Sequence, residues 1–200
     1  MNIIRPVSSD EMIGEFLRSE LHSSRFRAGS LKALSILGYS QDLLDHPDYN
    51  DSRQNEQRAQ VLGLCRGWPD KELFSLFPKD TDWYLGGISQ DELAKAYRLK
   101  SNPSMSPRER LLSVTAAELK SGRAVKNIDT ELIKELVLKI EKGIAMPPII
   151  LVAENMGRKK VLIEGHSRGT AYVFVDNKYL LHNIPAIIGV SANMPKWAYY

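Results

Sequence analysis

The five consecutive residues Glu164-Gly165-His166-Ser167-Arg168 combine a carboxylate, a glycine, an imidazole, a hydroxyl and a guanidinium. Placed where a strand hands over to a helix, this set suits phosphate chemistry. The first N–H groups of a helix have no partner within it, and the helix dipole is positive there, so an anion is held with little reorganisation. Gly165 lets the backbone turn sharply and approach the anion closely. Ser167 donates to a phosphate oxygen or caps the helix, and Arg168 offers a fork suited to bidentate contact. His166 adds a donor or proton-transfer group, while Glu164 serves as a base or holds Mg²⁺ through water. A purely structural alternative stands beside this one. Ser167 caps its helix, Glu164 answers the dipole, and Arg168 pairs with Glu164.

The elements around the motif define its setting. Asp129 or Thr130 is expected to cap a helix bearing Leu132, Ile133, Leu136, Val137 and Ile140, ending at Gly143. The apolar run Ile149-Ile150-Leu151-Val152 predicts a buried strand, Lys160-Val161-Leu162-Ile163 a second, and Ile184 to Val190 a third. Between the last two lies a helix with Ala171, Tyr172, Phe174 and Val175. The order helix, strand, strand, helix, strand predicts an α/β (α+β) fold with a small mixed sheet.

Residues 1–100 carry mainly helical period. Ser8 with Glu11, and Ser89 with Glu92, are spaced as capping boxes. The first opens a helix with Met12, Ile13, Phe16, Leu17 and Leu21 on one face. A second is expected from Gly29 to Gly38, a loop over 40–52, and a third helix from about Glu56 to Gly67. The expected division is an α-helical region over 1–105 and an α/β domain over 106–200, joined by the polar, proline-bearing stretch 100–107.

Composition narrows the function classes. The chain has 200 residues, 43% of them hydrophobic, with 27 Lys and Arg against 24 Asp and Glu, a net charge of +3. That excess is too small to argue for nucleic acid or a membrane surface. It is unevenly placed: residues 1–100 hold 13 basic and 15 acidic groups, residues 101–200 hold 14 and 9. The single Cys65 excludes a disulfide framework and a cysteine zinc cluster. No apolar run approaches the length of a membrane span, and the first residues lack a secretory signal pattern, so a cytoplasmic protein is expected.

Residues 128–190 resemble the ParB/sulfiredoxin-like superfamily. Its pattern of a helix, a Gly, P-I-I-V on a strand, a second strand ending in G-x-x-R, a helix and a last strand with I-P appears here in order. The carriers are Gly143, Pro148 to Val152, Gly165 to Arg168, Ala171, and Ile184-Pro185. Sulfiredoxins place a catalytic Cys after the motif glycine, where this chain has His166. ParB partition proteins look like G-E-R-R-x-R, of which Gly165 and Arg168 match. The free-serine-kinase branch, D-G-H-H-R, is the most similar, with Ser167 departing from it. That resemblance implies ATP or ADP with Mg²⁺ and an unknown small-molecule acceptor. It places the phosphates over residues 165–168 and the catalytic carboxylate on a separate segment; from their own chemistry Glu164, His166 and Arg168 are expected to be catalytic, Glu164 the metal ligand, and Arg123 a further phosphate contact. Arg123 lies roughly where ParB-like proteins carry a first-box arginine. The whole chain also looks like a group of bacterial proteins that pair E-G-H-x-R-x-T-A-Y with an N-terminal helical region, which implies no activity. A ParB-like DNA-associated module and a non-catalytic nucleotide sensor are the alternatives to a phosphotransferase or nucleotide hydrolase.

Overall fold

Alternation along three buried strands organises the molecule. The computed structural model describes residues 1–100, 104–126, 128–180 and 182–200. Strands β4 (Ile149–Ala153), β5 (Lys160–Glu164) and β6 (Ile184–Val190) are nearly wholly buried. Their side chains point alternately to opposite faces. Ile150, Val152, Val161, Ile163 and Ile187 enter one core, while Ile149, Leu151, Leu162, Ala186 and Ile188 enter the other. Covering both faces is what makes these strands read as continuous apolar runs.

The first core is closed by α1 (Ser9–Leu21), α2 (Arg27–Leu37), the short α3 (Asp42–Asp45) and α4 (Ser52–Arg66). The second is closed by α5 (Gln90–Ala94), α7 (Leu112–Lys120), α8 (Thr130–Glu141) and α9 (His166–Phe174). A one-turn α6 (Pro107–Arg110) precedes α7. The result is an α/β fold with helices on both faces of a mixed sheet. No helix among the described residues is long and apolar enough to cross a membrane.

The expected caps form. Ser8 accepts from Glu11 N, Ser89 and Glu92 make a reciprocal box, and Asp129 accepts from Leu132 N. Gly38, with φ of 70°, ends α2. Helix α4 starts four residues earlier than its apolar pattern, because Asp51 accepts from Arg53 N and Gln54 N.

The expectation of a helical layer over the first hundred residues is corrected by three strands. These are β1 (Asn2–Val7), β2 (Asp82–Ile88) and β3 (Tyr97–Arg98). The six-stranded order is β1-β2-β6-β4-β5-β3. β2 runs antiparallel to β6 with Leu85 opposite Ile187, and β3 runs parallel to β5 with Arg98 opposite Leu162. The two segments 1–105 and 106–200 thus contribute three strands each to one sheet. Of the stretch 100–107, residues 101–103 lie outside the described residues.

Aromatic residues fill the first core. Phe77 stacks on Trp83 with centroids 6.1 Å apart and meets Trp197 edge-on at 5.2 Å. Trp197 Nε1 donates to Leu73 O at 3.0 Å, fastening the C-terminal segment to the body.

Candidate anion site at the β5–α9 turn

Strand β5 ends at Glu164 and α9 begins at His166, so the motif occupies a strand-to-helix turn as its residue types predict. Gly165 sits between them with φ of +86°. A Cβ there would stand 2.9 Å from Ile149 Cγ2 and 3.0 Å from Arg168 Nη2. Both the left-handed backbone and the lack of space require glycine. Gly165→Ala is expected to destabilise the protein by about 1–3 kcal/mol. Urea unfolding at pH 7 measures it, and a change below about 0.5 kcal/mol would show that the turn is not strained.

The first internal bond of α9 runs from Gly169 N to Gly165 O at 2.7 Å, leaving the N–H groups of His166, Ser167 and Arg168 at the helix entrance. No side chain caps this end, so Ser167 is not the cap of the structural alternative. Arg168 turns inward. Its Nη2 donates to Ser19 Oγ on α1 at 2.7 Å and to Pro148 O at 3.3 Å, and lies 3.8 Å from Glu164 Oε1. The pairing of Arg168 with Glu164 therefore holds. Arg168 also joins α9, from one helical layer, to α1, from the other.

Glu164 is 7% exposed. Burial raises its carboxyl pKa, while Arg168, the Gly165 N–H and Arg66 oppose the shift. His166 is held neutral: burial, and then Arg98, Arg25, Arg168 and Arg66, bring its pKa down to about 4. Four arginines thus act on one imidazole at the entrance of a helix.

Three of those four were not visible in the motif. Arg25 lies in the connection before α2, Arg66 is the last residue of α4, and Arg98 is on β3 beside β5. Arg123 does not join them; it is exposed and its Nη1 pairs with Glu118 Oε2 at 3.0 Å. The Nε–H groups of Arg98 and Arg168 are buried without a hydrogen-bond partner. Buried donors of that kind are uncommon and ordinarily mark a missing acceptor.

Sequence reasoning also passed over Glu20. It sits on α1 four residues after Phe16, on the apolar face, and is 1% exposed. Arg66 grips it through Nε and Nη2. Burial raises the Glu20 pKa to about 7, opposed by Arg66 and assisted by the charge of Glu164. A glutamate on an apolar stripe is the signal that could have singled it out.

The donor set does not fit a resident Mg²⁺. Such sites use one or two free carboxylates with water and phosphate oxygens. Here Glu164 faces Arg168 and Glu20 is held by Arg66. Among the described residues, no group of three or more His, Cys, Asp or Glu converges on a point. Comparison with protein-family models, with curated proteins and with solved structures gives no match for this chain.

Proposed function

We propose that the protein binds a phosphorylated small molecule, with ATP or ADP as the leading candidate, at the β5–α9 turn. The observation that carries this is the uncapped start of α9 behind Gly165, with the buried Nε–H groups of Arg98 and Arg168 lacking an acceptor; the charges of Arg25, Arg66, Arg98 and Arg168, which disfavour a cationic His166, support it. With Arg18 included, five guanidiniums stand against the carboxyls of Glu15, Glu20, Glu109 and Glu164, and with His166 neutral a small excess of positive charge remains. An anion is what such an excess accommodates.

The chemistry that this arrangement supports is transfer of a terminal phosphoryl group to a small acceptor or to water. The α9 N–H groups and the His166 imidazole would donate to phosphate oxygens, and Arg25 and Arg98 would offset charge developing on the transferred group. Glu164, a buried carboxyl of raised pKa at the turn, would take the proton of the attacking hydroxyl. Arg168 would position the turn through Nη2, which donates to Ser19 and Pro148 and faces Glu164, while its unpartnered Nε–H stays available to an acceptor. Concentration of charge at one turn suits a single small anion better than a nucleic-acid track, and so favours this proposal over a ParB-like DNA-associated module. Mg²⁺ would enter with the nucleotide's phosphates.

Calorimetric titration of ATP, ADP and CTP, each with and without Mg²⁺, tests the proposal on wild type and Arg25→Ala. Arg25 is exposed, so the variant is expected to fold. Saturable binding of ATP or ADP, weakened about tenfold or more by the substitution, is the expected result. Absence of binding, or equal affinity in the variant, would overturn it.

A further inference from the structure

A cavity of about 190 Å³ opens beside this cluster, between the end of α1, the start of α2 and the end of α4. Its lining includes Glu20, Arg25, Phe26, Gly29, Ser30 and Arg66. The volume is below the roughly 300 Å³ at which pockets for drug-sized ligands begin, so a nucleoside does not fit it. Its chemistry is that of a small anion. The Arg66 guanidinium lies 3.8 Å from the centre of the Phe26 ring, and that of Arg25 lies 4.9 Å from it, so the aromatic ring steadies two cations at the same cavity. At the start of α2 the first N–H, that of Arg27, is taken by Ser23 O at 3.0 Å, and no side chain caps those that follow. The Ser30 hydroxyl is fully buried at this cavity, beside the Cys65 thiol. A Cβ on Gly29 would meet nothing within 4 Å, so the cavity stays open on that side.

Arg66 is already engaged with Glu20. An incoming oxyanion therefore competes with an internal carboxylate for the same guanidinium. We propose that this cavity is a binding site for a tetrahedral oxyanion group, free or carried by a small molecule, and that the anion takes Arg66 from Glu20, which is then protonated. The site does not require a nucleotide at the β5–α9 turn, though it borders it through Arg25 and Arg66.

The groups facing Glu20 set the direction of the coupling. Arg66 and Cys65 face it from α4, Glu164 from β5, and Arg25 from the connection before α2. Only Arg66 is bonded to it, and Glu164 adds like charge. When an anion draws Arg66 away, burial and Glu164 remain, and both favour the neutral carboxyl. Because the Glu20 pKa in the free protein is about 7, the uptake falls in the neutral range. Anion affinity then weakens as pH rises above it, because ionised Glu20 keeps Arg66.

Sulfate is the suitable probe, since it does not titrate in this range. Calorimetry at pH 7 in two buffers of different ionisation enthalpy counts the protons. The expected result is saturable sulfate binding with uptake of about half a proton. Glu20→Gln should keep the binding and lose the uptake. Gly29→Glu, which places a carboxylate at the open side without steric conflict, should weaken sulfate about tenfold or more. Lack of saturable sulfate binding, binding without uptake, uptake that persists in Glu20→Gln, or indifference to Gly29→Glu would each overturn the proposal. If sulfate fails while ADP or ATP still binds, this site is wrong and the nucleotide proposal stands. If sulfate binds with proton uptake and no nucleotide binds, the reverse holds.

Discussion

Replacing Arg168 by alanine is expected to cost about 3–5 kcal/mol of folding stability at pH 7, the largest effect of any single substitution at the site. The guanidinium side chain is 11% exposed and stands 3.8 Å from a Glu164 side chain that is 10% exposed. Its loss leaves a carboxylate deprived of its nearest cation in the low-dielectric end of the sheet. It also strips the Ser19 hydroxyl and the Pro148 carbonyl of a donor at 2.7 and 3.3 Å. A buried ion pair is not itself strong evidence of net stabilisation, but breaking one side of it is costly because the other charge remains. Glu164 can escape part of that cost by taking a proton. The loss should therefore be smaller at pH 5 than at pH 8. Arg168→Lys should recover only part of it, since an ammonium on a different stem does not reproduce the Nη2 position between Ser19, the Pro148 carbonyl and Glu164. Urea midpoints of both variants at the two pH values decide this. A loss under about 1 kcal/mol for Arg168→Ala would mean that the two helical layers are not tied through this residue.

The second large effect is a pair of opposed pH dependences. Glu20 has a folded-state pKa of about 7, above its ordinary value of 4.5. The folded protein then holds a proton that the unfolded chain has released, so the penalty is absent below about pH 4.5 and grows until the pH passes 7. His166 behaves in the contrary way. Its folded-state pKa of about 4 lies below the ordinary 6.5, so its stability is intact above pH 6.5 and is lost as the pH falls toward 4. Each shift amounts to about 3 kcal/mol at full development, and over the shared range the two slopes oppose each other in the wild type. Single substitutions expose them. Relative to wild type, Glu20→Gln should gain stability from pH 5 to about pH 7 and level off by pH 8. His166→Asn should gain it on going from pH 6.5 down to 4.5. Chemical unfolding of the three proteins across this range checks the prediction. Parallel profiles would show that neither group is perturbed by its surroundings.

Much of what positions the turn was legible in the chain. Apolar runs gave β4 and β6 because both faces of the sheet are covered, and period-2 alternation then sends neighbouring residues into separate cores. Ser8, Ser89 and Asp129 were recognisable as caps because a short side chain satisfies an N–H three residues on. β1 and β2 were not recognisable. β1 is an edge strand with five of six residues exposed and Pro6 within it, so it lacks alternation. β2 carries Gly86 and Gly87, which weaken a strand pattern. The first pays for itself in packing: a Cβ on Gly86 would come within 2.4 Å of Asn2 O on β1.

The candidate site divides in the same manner. The local part, Glu164 to Arg168, was legible because adjacent residues carry it. The remainder depends on tertiary placement. Arg25, Arg66 and Arg98 are ordinary solvated arginines in their own segments, and only the packing of α1, α4 and β3 around the end of β5 brings them to His166. Charge counting by halves could not find them either, because all three belong to the half with the acidic excess.

A crystal soaked with ADP would locate the bound anion. Phosphate density is expected at the start of α9, with oxygens within hydrogen-bonding distance of the His166 or Ser167 N–H and of Arg25 or Arg98. A nucleotide bound elsewhere, with the β5–α9 turn empty, would contradict it.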